Sequence, residues 1–217
     1  MSSRGLRPRV LLALLVLLAI AGGLAILTVG SGPRLQVAGA SSRHGGQFRA
    51  GLVFSPATPV PPIALRNYLG QPVNIDSYRG KAVLVTFLYT NCPDVCPLIT
   101  AGLHATLELL GASESKHVQI IAVSVDPRGD TPSAVAAFLA RHQMTGRMQY
   151  LIGSPRELAA VWKAWGVGSE RDVTQPQFVN HTGIVYGISA SGLRTTAYAA
   201  NFTPGELAHD VPLLARQ

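Results

Sequence analysis

Cysteine is scarce in this chain, which contains only Cys92 and Cys96 among 217 residues. Two cysteines cannot fill the four ligand positions of a structural zinc site, and they allow a single disulfide at most. A disulfide between them would close a very short loop and would restrict little chain entropy. Composition therefore favours a chemical role for the pair over a structural cross-link.

Acidic residues are absent before Asp76, whereas basic residues recur in that part of the chain. The arginines concerned include Arg4, Arg7, Arg9, Arg34, Arg43 and Arg49. The net charge of +7 thus belongs to the N-terminal part, and the remainder is nearly neutral. This distribution fits a membrane-proximal segment and argues against a nucleic-acid partner.

Charge is also missing from residues 10–29, "VLLALLVLLAIAGGLAILTV", a run long enough to cross a bilayer as a helix. We predict a cytoplasmic N-terminus at 1–9 and a transmembrane anchor at 10–29, oriented by the preceding arginines. A cleaved signal peptide is the alternative, with "AGA" at 38–40 as its cleavage site. No cysteine directly follows the apolar run, which excludes a lipoprotein anchor.

The remaining chain divides into a flexible linker and one domain. Residues 30–47 are rich in Gly and Ser and predict the linker, while 48–217 has the length of a single domain. The short segment before the apolar run is typical of a bacterial protein. We therefore expect a single-pass protein of the bacterial cell membrane with its domain on the extracytoplasmic, periplasmic side.

Within the domain, strand and helix patterns alternate. "AVLVTFLY" and "VQIIAVSVD" are apolar on nearly every position, which predicts strands buried on both faces of a sheet. The capping boxes "SPRE" and "TPGE" each predict a helix start, and "GIVYGISASGLRTTAYA" predicts a β-hairpin. The expected fold class is α/β, with a central mixed sheet covered by helices on both faces.

Both cysteines follow the first of these buried strands in "VTFLYTNCPDVCPLIT". Pro97 predicts a helix that begins there, with Cys96 near its N-cap, where the helix dipole favours a thiolate. Cys92 precedes it by about one turn, so the two sulfurs should converge. Two chemical roles stay open, namely a redox dithiol and a soft-metal site; two thiolates select Cu(I), and an added imidazole would also hold Cu(II).

A metal site would need a third ligand from the six histidines of the chain. His181 lies in "QFVNHTGIVYGI", directly before an apolar strand, so its side chain would emerge at an end of the sheet. The others lie in the linker, between elements or on predicted helices: His44, His104, His117, His142 and His209. Spacing alone does not decide among them.

The segments "GKAVLVTFLYTNCPDVCPLIT" and "VSVDPRGDTP", followed by a late histidine before a strand, resemble the Sco (SCO/SenC) family over residues 48–215. The resemblance implies a thioredoxin-like fold tethered to a membrane. It also implies copper binding by Cys92, Cys96 and His181, and assembly of the binuclear copper centre of cytochrome c oxidase. Asn180 stands where the family commonly has Asp, which removes one charge beside the implied metal.

The resemblance implies a copper metallochaperone without catalytic turnover. Its partners would be the copper-bearing subunit of cytochrome c oxidase and an extracytoplasmic thiol reductant or another copper chaperone. The alternative is an extracytoplasmic thiol-disulfide oxidoreductase in which Cys92 attacks a partner disulfide and Cys96 resolves the mixed disulfide. Related reductases resemble one another in carrying a proline where this chain has Asn180, His181 and Thr182, which favours the metal site.

Overall fold

The computed structural model of the protein describes residues 48–171, 179–181 and 183–217, without the side chains of residues 170, 171, 180 and 181. The predicted cytoplasmic segment 1–9, the predicted anchor 10–29 and the predicted linker 30–47 lie outside the described residues.

A mixed sheet of eight strands forms the centre of the domain, in the order β1-β10-β9-β4-β5-β6-β2-β3. Its strands are β1 (Leu52–Pro59), β2 (Ala64–Asn67), β3 (Pro72–Asn74), β4 (Ala82–Leu88), β5 (Val118–Ser124), β6 (Met148–Ile152), β9 (Ile184–Ile188) and β10 (Leu193–Ala199). A second sheet pairs β7 (Ser169–Arg171) with β8 (Val179–His181). The β4–β5 and β5–β6 pairs are parallel and the others are antiparallel, which confirms the predicted mixed sheet.

The helices of the described chain are α1 (Val95–Ser115), α2 (Pro132–Arg141), α3 (Pro155–Trp165) and α4 (Pro204–Ala215). Both predicted capping boxes are present, at the starts of α3 and α4. Each pairs an N-cap hydroxyl with the third residue of the helix, so the sequence predicts these starts correctly. A 3₁₀ helix over Ile75–Tyr78 follows β3.

Helices cover both faces of the sheet, as predicted. Successive strand residues face opposite sides, and in β9 the Tyr186 ring packs against Trp165 of α3, with centroids 5.4 Å apart. On the other side, a Cβ at Gly187 would lie 2.8 Å from Leu214 of α4. Glycine at this position therefore allows α4 to approach the sheet closely.

α1 is the one helix of the described residues that is long and apolar enough to span a membrane. It is kinked at Gly111, whose φ of 66° interrupts the regular helix. One side of it is buried in the domain, through Cys96, Ile99, Leu103 and Leu107. These contacts explain its apolar composition as that of a core helix.

Candidate metal centre

Both cysteines lie directly beyond β4, the strand between β5 and β9. Cys92 is 8% exposed and Cys96 is fully buried, and both are thiols. The backbone N–H of Cys96 donates a hydrogen bond of 3.3 Å to the Cys92 sulfur, and the two thiol groups are themselves in hydrogen-bonding contact. The two sulfurs therefore converge, as their spacing predicts.

The helix that carries Cys96 begins earlier than predicted, at Val95 instead of Pro97. Proline is tolerated in a first turn because the N–H groups there have no acceptor within the helix. The carboxylate of the N-cap, Asp94, accepts a hydrogen bond from the Val95 N–H and lies 3.7 Å from the Cys92 sulfur. Asp94 therefore fixes the chain between the two cysteines.

Burial has a stronger effect on the pKa of the Cys96 thiol than its position at the start of a helix has. Loss of solvent raises the pKa of the Cys96 thiol far above its ordinary value, and the contact with Cys92 raises this pKa further. A hydrogen bond from the Tyr89 backbone lowers it without offsetting the burial. The predicted thiolate at Cys96 is thus wrong for the metal-free protein, because desolvation outweighs the helix dipole.

We expect iodoacetamide to modify Cys96 at least about ten times more slowly than Cys92 in the folded, reduced protein, since only an accessible thiolate reacts. Peptide mass spectrometry at successive times would measure both rates at pH 8. In denaturant the two rates should become similar. Equal rates in the folded protein would contradict the burial of Cys96.

Asp130 lies beneath the cysteine loop and is only 4% exposed. One carboxylate oxygen accepts hydrogen bonds from the backbone N–H and the hydroxyl of Thr90, at 2.8 and 2.9 Å. The other accepts from the hydroxyls of Ser124 at 2.6 Å and Tyr150 at 2.9 Å. Asp130 thereby joins the loop to the end of β5 and to the middle of β6.

The sequence analysis did not predict this role of Asp130, which directly precedes the start of α2. Thr131 alone is the N-cap, and its hydroxyl accepts the Ala134 N–H at 3.2 Å. An aspartate directly before a Thr-Pro helix start has no other local signal. Its carboxylate is instead turned toward the sheet, where burial raises its pKa despite four donated hydrogen bonds.

Tyr89 is 2% exposed and contacts both the cysteine loop and β8. Its hydroxyl makes hydrogen bonds with the Cys92 side chain and with the backbone of Val179. Burial raises the pKa of Tyr89 to about 12, and the contact with Cys92 adds to this increase. The sequence indicated only that Tyr89 belongs to the core or its rim.

His181 is the last residue of β8, where its backbone is paired with Ser169 of β7. The side chains of His181 and Asn180 lie outside the described residues. The structure therefore brings the strand of His181 to the cysteine loop, through Val179 and Tyr89. Within the described ranges, three or more His, Cys, Asp or Glu side chains nowhere gather as metal ligands.

Residues 56–216 match the family model described as SCO1/SenC. A curated relative, the mitochondrial SCO2 homolog of Bos taurus, is 32% identical over 126 residues, which are 56% of this chain and 47% of the relative. The chain spans about half the length of the curated relatives it matches first.

Two solved structures are similar throughout the domain. ScoI of Bradyrhizobium japonicum with copper bound has a TM-score of 0.63 and 30% identity, covering 71% of this chain and 99% of that one. BsSco, described with a disulfide switch and as a member of the Sco family of cytochrome c oxidase assembly proteins, has a TM-score of 0.61 and 25% identity, covering 73% and 94%. The architecture is the predicted α/β thioredoxin-like fold. The match to the family model over most of the chain, together with these structures, shows that the chain belongs to the SCO1/SenC family.

Proposed function

We propose that this protein is a membrane-tethered copper chaperone that binds Cu(I) through Cys92, Cys96 and His181. The observation that carries the proposal is the pair of converging thiols in a pocket almost closed to water. Sulfur ligands select Cu(I), and a nearly closed site protects both metal and thiols from oxidation. The related ScoI structure contains copper, which supports this choice of metal.

The described geometry can provide two sulfur ligands at once. Copper binding would release the thiol protons, because the thiolate is the ligand. This release also removes the thiol contact that raises the pKa of Cys96 in the metal-free protein. The proposed third ligand, His181, would come from β8, whose backbone contacts the cysteine loop through Tyr89.

The proposed acceptor is the copper-bearing subunit of cytochrome c oxidase, because BsSco is described as belonging to a family of oxidase assembly proteins. Copper would pass to the binuclear centre by stepwise exchange of Cys92, Cys96 and His181 for ligands of the acceptor. The proposed location is the extracytoplasmic side of a bacterial membrane, with residues 10–29 as the single anchor. An extracytoplasmic thiol reductant would keep Cys92 and Cys96 as a dithiol ready for loading, and another copper chaperone would supply the copper.

The second candidate is a thiol-disulfide oxidoreductase, favoured by the unequal exposure of the two cysteines. The Cys92 thiolate would attack a partner disulfide and release one partner thiolate. The Cys96 thiolate would then attack the mixed disulfide and release the second. The partner disulfide gains two electrons while Cys92 and Cys96 lose two and form a disulfide.

An anaerobic Cu(I) titration of the full chain in detergent, against a competing chelator, tests the first proposal. We expect one copper per protein in the dithiol form and no competitive binding after oxidation to the disulfide, which has no thiolates. Absence of binding by the reduced protein would contradict the chaperone function. The reduction potential of the pair would then test the oxidoreductase function.

A further inference from the structure

Tyr89 contacts more of the candidate site than any sequence pattern indicates. Its backbone carbonyl accepts a hydrogen bond of 3.4 Å from the Cys92 N–H, and its backbone also makes a hydrogen bond to Cys96. Its side chain makes hydrogen bonds with the Cys92 side chain and the Val179 backbone. One residue thus contacts both cysteines and the strand that contains His181.

The hydroxyl of Tyr89 is suited to a bridge, because a phenol has one proton to donate and lone pairs to accept with. In these contacts the Val179 N–H donates to the phenol oxygen, and the phenol donates its proton to the Cys92 sulfur. The hydroxyl therefore donates one hydrogen bond and accepts another.

Besides the burial of the Val179 side chain in the core, two described hydrogen bonds attach the β7–β8 sheet to the domain near the site. In β7, the Ser169 hydroxyl donates a hydrogen bond of 2.9 Å to the Val125 carbonyl, just past the end of β5. In β8, the attachment is the bond from Val179 to Tyr89. Val179 lies two residues before His181 in the same short strand. Loss of the Tyr89 hydroxyl would leave the β8 side without this attachment.

We propose that Tyr89 is a positioning residue whose hydroxyl holds β8, and with it His181, at the cysteine loop. Copper affinity then depends on a residue that is not itself a ligand. This inference rests on the proposed copper function. Residues that orient metal ligands from outside the ligand set typically change metal affinity by about 10- to 100-fold when they are replaced.

The test is Tyr89→Phe, which removes the hydroxyl and keeps the ring. Tyr78→Phe is the matched control, since Tyr78 is partly buried next to the opposite end of β4. Both variants would be titrated anaerobically with Cu(I) as full chains. We expect Tyr89→Phe to bind about tenfold more weakly than the parent and Tyr78→Phe to bind like the parent.

A double-mutant cycle with His181→Ala separates positioning from a general structural effect. If Tyr89 acts through His181, Tyr89→Phe should change the affinity much less once His181 is absent. An equal loss in both backgrounds, or unchanged affinity in Tyr89→Phe, would overturn the inference while leaving the copper function intact. Loss of Cu(I) binding by the parent itself would contradict the proposed function instead.

Hydrogen exchange provides a readout that needs no copper. The amide of Val179 should exchange faster in Tyr89→Phe than in the parent or in Tyr78→Phe, because its acceptor is gone. Unchanged exchange would overturn the inference even if the affinity fell. This measurement needs only the folded, metal-free protein, so it also decides the matter if Tyr89→Phe cannot be titrated with copper.

Discussion

Serine in place of Cys92 or of Cys96 is expected to weaken Cu(I) binding by at least about a hundredfold. Structural Zn²⁺ sites with four ligands bind with an apparent free energy of about 10–16 kcal/mol, so that one ligand accounts for roughly 3 kcal/mol on that scale. A hydroxyl is also a much poorer ligand for Cu(I) than a thiolate is. Anaerobic competition with a chelator of known affinity measures the loss.

The third proposed ligand is tested with His181→Ala, and His117→Ala is the matched control. His117 is exposed in the turn between α1 and β5, and the structural role described for it belongs to its backbone carbonyl. We expect weaker binding in His181→Ala and no change in His117→Ala. Parent-like affinity in both cysteine variants would contradict a dithiolate site, and parent-like affinity in His181→Ala would remove that residue from the ligand set.

Local signals predicted those parts of the fold whose stability is local. The capping boxes at Ser154 and Thr203 give the starts of α3 and α4 correctly, because cap and partner are three residues apart. The continuous apolar segments likewise identify β4 and β5, which are buried almost throughout. In both cases the determining contacts involve neighbouring residues or burial on two faces of a sheet.

Elements that depend on distant partners were less predictable. β1 contains Ser, Pro and Thr, yet it pairs with β10 at the edge of the sheet. The buried carboxylate of Asp210 accepts hydrogen bonds from the backbone N–H groups of Arg49 and Ala50, so it holds the chain just before β1. No local pattern could connect Arg49 with a residue at the other end of the domain.

In the candidate site too, local features could be predicted from the sequence and tertiary contacts could not. The two cysteines could be predicted to converge because they belong to one turn of chain, and this geometry is confirmed. The residues that surround the cysteines could not be predicted from the motif, since Asp130 and Val179 reach the loop through tertiary contacts. The prediction of a thiolate at Cys96 was wrong for the same reason, because burial is a property of the folded domain and not of the motif.

Alanine in place of Asp130 is expected to lower the free energy of unfolding by about 3 kcal/mol. The substitution leaves donors of Thr90, Ser124 and Tyr150 without their acceptor in the interior. Each buried donor left unpaired costs about 1–3 kcal/mol, and relaxation or entering water offsets part of the sum. Denaturant unfolding of the reduced, metal-free protein measures the change.

Asp76→Ala is the matched control, because Asp76 is an exposed aspartate whose ion pair with Arg79 lies on the surface. Its removal should change stability by less than about 0.5 kcal/mol. A similar small change in Asp130→Ala would show that the network beneath the loop contributes little. A large loss confined to Asp130→Ala would confirm that the carboxylate stabilises the end of the sheet on which the cysteines lie.

Asp130→Asn separates the charge of this residue from its hydrogen bonds, since one oxygen remains to accept from Thr90 while two hydroxyls can reorient toward the amide. Burial raises the pKa of Asp130 above 3.8, so the folded state retains the proton to higher pH than the unfolded chain does. This contribution to stability is complete below the unfolded pKa and is lost as pH rises through the folded pKa. Asp130→Asn should therefore remove that part of the pH dependence and be less destabilised at neutral pH than Asp130→Ala. If the two variants are equally unstable, charge rather than hydrogen-bond geometry joins the cysteine loop to β5 and β6.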